Sequence, residues 1–221
     1  MIPPDHDGEY VARMEDVLDV YQRPYDAARP VVCMDEMPVQ LTKETRQPIP
    51  AGPGHPRRVD YEYERNGTAN IFTFVEPLVG FRQTRVTERR TRVDWATALR
   101  ELIEGRYGDA NVIVLIMDNL NTHTLGSLYE AFPPVEARRL TQRLEIHYTP
   151  KHGSWLNMAE NELSALSRQC LSRRIGTIEQ LESEVAAWEA PRNQELVRIQ
   201  WRLTIDQARS KLHKVYPKIQ N

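Results

Sequence analysis

The chain has 221 residues, 40% of them hydrophobic and 27% charged, with a formal net charge of −2. That is enough for one fair-sized globular domain with an appended helical piece, and short of two full domains. No run of about 18 apolar residues occurs and the start, MIPPDHDGEY, lacks a basic-then-apolar leader, so the sequence predicts no membrane span, no export and a cytoplasmic location.

In chain order, EYVARMEDVLDVYQRPYD sets Val11, Met14, Val17, Leu18 and Tyr21 at helical spacing and closes at Pro24, which predicts an amphipathic helix within residues 1–28 that leads into the core. VVCM, Val31 to Met34, reads as a short interior strand ending on Asp35. LTKETRQPIPAGPGHP is rich in Pro and Gly and reads as an exposed loop. Val59, Tyr61 and Tyr63 alternate, Asn66-Gly67 predicts a hairpin turn because both positions suit positive φ, and alternation resumes at Ile71, Phe72 and Phe74 and again from Phe81 to Val86. An antiparallel meander is expected there. The stretch from Arg82 to Arg92 carries five arginines, Arg82, Arg85, Arg89, Arg90 and Arg92, against Glu88 alone. They are candidate contacts for phosphates, with a solvated strand edge as the alternative.

Asp94 then reads as the N-cap of a helix that presents Trp95, Leu99, Leu102 and Ile103 on one face and ends near Gly105 or Gly108. NVIVLIMDNLNTHT is an apolar strand that delivers Asp118 and a polar cluster at its end. Leu125 to Leu140 is helical but interrupted by Pro133-Pro134, and LEIHYTP is another short strand. In SWLNMAENELSALSRQCLSR, Met158, Leu163, Leu166 and Cys170 repeat at helical spacing, with Asn157 and Glu160 resembling a capping pair. TIEQLESEVAAWEA aligns Ile178, Leu181, Val185 and Trp188 and is expected to end before Pro191, beyond which 191–221 reads as a basic helical tail. Cys33 and Cys170 lack any CxxC or Cys/His spacing and are read as packing residues. This order predicts an α/β domain over 29–190: an RNase H-like mixed five-stranded sheet with helices on both faces, its first strand central and parallel to the strand after the first crossover helix.

If VVCM and VIVLIM are parallel neighbours, Asp35 and Asp118 meet at their carboxyl ends, about 5 Å apart in the backbone. Two carboxylates so close repel unless they share a cation. Glu160, in the first turns of a later helix, is the best third acid, with Glu162 as its competitor. Glu36 is expected on the opposite face of its strand and Asp109 precedes its strand. Three hard-oxygen ligands suit Mg2+ or Mn2+, and two such ions can drive an in-line displacement at a phosphodiester. Singly, each acid also reads as a helix cap or turn former.

VVCMDE, IVLIMDNLNTHT and HYTPKHGSWLNMAENELSAL resemble the three acidic motifs of the DDE transposases of bacterial insertion sequences in the mariner-like superfamily, and the lead-in and the closing WRLTIDQARSKLHKVYP extend the resemblance over nearly the whole chain. The resemblance implies a metal-dependent DDE transposase with Asp35, Asp118 and Glu160 as the catalytic triad, acting on double-stranded DNA at element ends and target. Hydrolytic nicking would be followed by attack of the freed 3′ hydroxyl on target DNA. Full-length relatives carry an N-terminal helix-turn-helix, which implies either a separate DNA-binding polypeptide or an inactive remnant that only binds; a homodimer and an RNase H-like nuclease without strand transfer also stay open. Asn119, Asn121, His123, Trp155 and Asn157 surround the motifs and are expected to orient the acids, cap helices or touch DNA.

Overall fold

The computed structural model describes residues 7–56, 58 and 60–218. The elements run α1 (Gly8–Gln22), β1 (Val31–Glu44), β2 (Tyr63–Glu76), β3 (Phe81–Thr87), α2 (Arg92–Glu104), β4 (Ile113–Met117), α3 (Leu125–Ala131), α4 (Pro134–Thr141), β5 (Leu144–Tyr148), a 3-10 turn (Ser154–Leu156), α5 (Ala159–Gln169), α6 (Ile178–Gln194) and α7 (Ile205–Lys211). One five-stranded sheet has the order β3-β2-β1-β4-β5, antiparallel from β1 to β3 and parallel across β1, β4 and β5. The RNase H-like arrangement expected from the sequence is present, with β1 central beside β4.

Alternation along β1 separates two cores. Val32 and Met34 face α2 and α3 together with Phe72, Phe74, Trp95, Leu99 and Leu128. Cys33 faces the side of α1, the 3-10 turn and the start of α5, while Leu41 and the partly buried Met37 join α5 and α6. Each apolar stripe seen in the sequence therefore finds a partner across the sheet, and burial of this area is the main stabilising term. The C-terminal residues pack back on α1: Arg209 donates to Glu15 at 2.8 and 2.9 Å and Tyr216 Oη to Glu15 at 2.9 Å.

Several local expectations are corrected. β1 does not stop at Asp35 but runs on to Glu44, because beyond Asp35 it stays paired with β2, from Glu36 opposite Phe72 to Glu44 opposite Tyr63. The hairpin expected at Asn66-Gly67 is absent: β2 runs straight through it. Gln40 pairs with Thr68 and Thr42 with Arg65, so Asn66 and Gly67 together face Leu41, and the positive φ of Gly67, 90°, serves a β-bulge instead of a turn. The chain reverses instead at Pro77–Gly80; Gly80 has φ 81°, and a Cβ there would meet the Leu196 backbone at 2.5 Å. The alternation that included Val59 lies partly outside the described residues, and Tyr61 falls in a loop. Thr91, not Asp94, caps α2, with Asp94 at the third position closing a capping box. α6 continues through Pro191 to Gln194, since Arg192 and Asn193 beyond it are tied to Glu162 and Arg82. Those bonds offset the backbone hydrogen bond that proline removes. No described helix is long and apolar enough to cross a membrane.

Candidate active site

The parallel pairs of β1 and β4, Val31 with Val114, Val32 with Leu115 and Cys33 with Ile116, share an offset of 83 residues (114 − 31). Carried two residues on, that register brings Asp35 level with Asp118 (118 − 83 = 35) just beyond the end of β4. β1 continues past this point while β4 ends, so the sheet splits beside Asp35. Divergence of this kind is where open α/β sheets form ligand sites.

α5 supplies the third acid. Asn157, buried just before it, donates from Nδ2 to the Met34 carbonyl at 2.8 Å and to Asp35 Oδ2 at 3.3 Å, and its Oδ1 accepts from Ala159 N at 3.1 Å. One side chain thus ties β1, Asp35 and the first turn of α5 together. Glu160, exposed in that turn, shares with Asp35, Glu36 and Met37 the wall of a cavity of about 240 Å3. The Asp35 carboxyl is pushed up to about 7: burial is the largest cause, followed by the charge of Glu160, with Glu36 and Asp118 adding to it against a hydrogen bond from Glu36 N. A carboxylate crowded in this way favours a proton or a shared cation.

Asp118 is held from the other side. His123, 1% exposed, lies with Nδ1 2.6 Å from Asp118 Oδ1 and Nε2 3.2 Å from Glu36 Oε2, and its ring stacks on Trp95 at 5.8 Å. Burial works against a charge on His123, but the contacts with Asp118 and Glu36 outweigh it and push its pKa up to about 9. The Nδ1 contact is a hydrogen bond, whereas Nε2 meets Glu36 Oε2 at ion-pair distance, and among the described residues that oxygen has no hydrogen-bond partner. Arg90 stands 3.5 Å from the other Glu36 oxygen. Among the described residues, the metal-ligating side chains that come within 4.8 Å of one another are Glu36, Asp118 and His123. Asp118 and Asn119 also line a larger cavity, about 480 Å3, with Tyr10, Arg13, Lys151 and His152.

A family model described as DDE superfamily endonuclease matches residues 30–182, which is 153 of the 221 residues. The chain belongs to the DDE superfamily endonucleases. Among solved structures, this DDE chain is similar to the Mos1 mariner paired end complex with Mn, with a TM-score of 0.56 and 17% identity over 89% of this chain and 60% of that one. It is similar also to the Mos1 strand transfer complex, with a TM-score of 0.56 and 14% identity over 89% and 61%, and to the Mos1 paired end complex with Mg, with a TM-score of 0.54 and 16% identity over 99% and 66%. The DDE chain thus spans 60% to 66% of the length of these structures, and the likeness is one of fold. No curated protein matches it.

Within the DDE fold the remaining sequence candidates separate clearly. Glu162, the competitor for the third acid, is 2% exposed and turned away into a buried ion pair, 3.1 Å from Arg82 and 3.0 Å from Arg192. Arg82 is fully buried by that pair and by its donation to the Val197 carbonyl, so it is corrected from a phosphate contact to a core residue. Arg85 pairs with Glu101 and Arg92 with Glu130. Arg89 is exposed with no ion partner among the described residues. Trp155 packs on Trp201 at 6.0 Å and donates to Tyr10 Oη at 3.1 Å. Asn119 and Asn121 are exposed beside Asp118. Sequence reasoning set Glu36 aside because it faces away from Asp35. Its place in the strand alternates with that of Asp35, yet Glu36 shares a cavity wall with Asp35 and Glu160 and also meets His123. The available signal was an acid on the buried face of a strand, level with a histidine five residues after Asp118.

Proposed function

We propose that this DDE chain is the catalytic domain of a transposase, cutting DNA at element ends and joining the freed 3′ hydroxyl to target DNA. The observation that carries the reading is that Asp35 and Glu160 share one cavity wall with Asp118 level with Asp35 at the end of the next strand, while burial and then the charge of Glu160 push the Asp35 carboxyl up to about 7. The donor set fits a hard divalent cation, because Asp35 and Glu160 share a cavity wall, Asp118 lies level with Asp35 across the β1–β4 seam, and burial with neighbouring charge already disfavours the Asp35 carboxylate. In this reading Asp35, Asp118 and Glu160 hold Mg2+ or Mn2+, as two ions, and the bound metal supplies stabilisation of the charge that develops on the phosphate and leaving oxygens. Asn157 holds Asp35 against the start of α5. His123 holds one oxygen of Asp118 at 2.6 Å.

Residues 29–190 form the catalytic unit of this proposal, with 1–28 and 191–221 as flanking segments whose described parts meet through Glu15 and Arg209. The partners are double-stranded DNA, a second copy of the chain and a helix-turn-helix polypeptide, with Arg85, Arg89, Arg90 and Arg92 as phosphate contacts. Support comes from the Mos1 neighbours, described as paired end and strand transfer complexes and solved with Mn and Mg.

The test supplies a pre-cut terminal duplex, Mg2+ or Mn2+ and a target plasmid. Joined products are expected, and Asp118→Asn should reduce them by about 10²–10³-fold or more, the loss typical when one charge-stabilising group is removed. Cleavage without joining favours a nuclease. DNA binding with no chemistry in the wild type favours a remnant that only binds.

A further inference from the structure

Asp118 leaves β4 at the point where the strand ends, and nothing in the strand itself fixes its side chain; 37% of it is exposed. What it touches is His123, whose position is set from four directions. Its ring lies on Trp95, a fully buried anchor of α2. Its Nε2 faces Glu36 at 3.2 Å, and Glu36 is itself held on the far face of β1 with a side chain only 3% exposed and Arg90 at its second oxygen. Its carbonyl accepts from Tyr148 Oη at 3.0 Å, which fastens the loop to β5, and its amide donates to Leu120 at 3.0 Å. The remaining contact, Nδ1 to Asp118 Oδ1 at 2.6 Å, is the shortest of these.

We infer that Glu36 and His123 are positioning residues for the DDE site: Glu36 fixes the ring, and the ring holds one oxygen of Asp118 so that the other stays available to a divalent cation. The inference rests on the function proposed above and adds a residue, Glu36, on the opposite face of the strand from Asp35. The arrangement ties α2, β1, β4 and β5 to one carboxylate. Partners of this kind behind a metal ligand are commonly worth 10–100-fold in metal affinity or activity.

The experiment measures Mn2+ binding to the whole chain by electron paramagnetic resonance, without DNA, in the wild type and in His123→Asn, Glu36→Gln and Asp118→Asn, with thermal midpoints taken on the same samples. Asp118→Asn should abolish the tight signal and His123→Asn should weaken binding about 10–100-fold. Glu36→Gln, which keeps an acceptor for the ring, should weaken it less while leaving the midpoint near that of the wild type. Because His123 is buried and its variant can fail to fold, the wild type gives a second readout. Adding Mg2+ should shift the His123 ring signals in NMR, and Asp118→Asn should remove the shift. Wild-type Mn2+ affinity in folded Glu36→Gln and His123→Asn, or an unmoved His123 signal, overturns the inference. If the wild type binds Mn2+ through Asp118 but neither cuts nor joins DNA, the transposase reading falls and this one stands. If Asp118→Asn binds as the wild type does, both fall.

Discussion

Asp35 shows how a single carboxyl can be costly to the fold and useful to the site. Its pKa rises from 3.8 to about 7 on folding, chiefly through burial and the nearby charge of Glu160. The folded state thus favours the neutral acid. The cost of ionising it is absent below about pH 4, grows as pH rises, and is complete above about 7. At pH 8 without metal, Asp35→Asn should therefore raise the thermal midpoint by about 2–4 °C, corresponding to about 1 kcal/mol or more in a chain of this length, and the gain should fade towards pH 4. Added Mg2+ should stabilise the wild type and leave the variant unmoved. A lower midpoint for the variant at pH 8 would remove the electrostatic account of the site. The placement of Asp35 and Asp118 at neighbouring strand positions was legible in the sequence, because parallel pairing of two apolar runs sets their ends level. Glu36 was not, because alternation assigns it a face but says nothing of a histidine in another segment waiting there.

At the level of elements, α5 presents Glu160 only if its rotation about its own axis is fixed, and the buried Glu162 fixes it. Two residues along from Glu160, Glu162 is gripped by Arg82 of β3 and Arg192 of α6, while Asn193 of α6 accepts from Arg82 N at 2.8 Å. Removing one member strands the others in a dry environment, which costs about 3–5 kcal/mol in comparable pairs. Glu162→Ala should lose that much in urea denaturation at pH 7, whereas Glu160→Ala, at an exposed position, should lose little stability. Equal losses would deny the pair its anchoring role. This network also explains why Pro191 failed to end α6, since local propensity is weaker than a buried ionic contact just past it. In the same way, Asn66-Gly67 carries the right backbone signal for a positive φ, yet the long pairing of β1 with β2 decides that it makes a bulge. Sequence periodicity located these elements; their boundaries depended on partners more than 20 residues away.

For the whole molecule, the order of apolar periods was enough to specify the sheet, because a right-handed crossover through α2 leaves β4 only the place beside β1. Charge was less legible. A net −2 with five arginines in one stretch suggests a cationic ridge, but the fold takes Arg82 inside and sets Glu101, Glu130 and Glu36 against Arg85, Arg92 and Arg90. The pairs of Arg85 and Arg92 are exposed and weak, and phosphates can compete for them, whereas among the described residues Arg89 has no ion partner to give up. Binding of a short DNA duplex, followed by fluorescence anisotropy across a salt series, should lose about 0.9 from the slope of log K against log salt in Arg89→Ala if that residue meets one phosphate. Arg82→Ala should instead lower the thermal midpoint and leave the slope of the folded fraction as it was. An unchanged slope in Arg89→Ala would move the DNA path away from β3 and towards the cavity beside Asp118, where Lys151 and Arg13 are the cations that a backbone phosphate would meet.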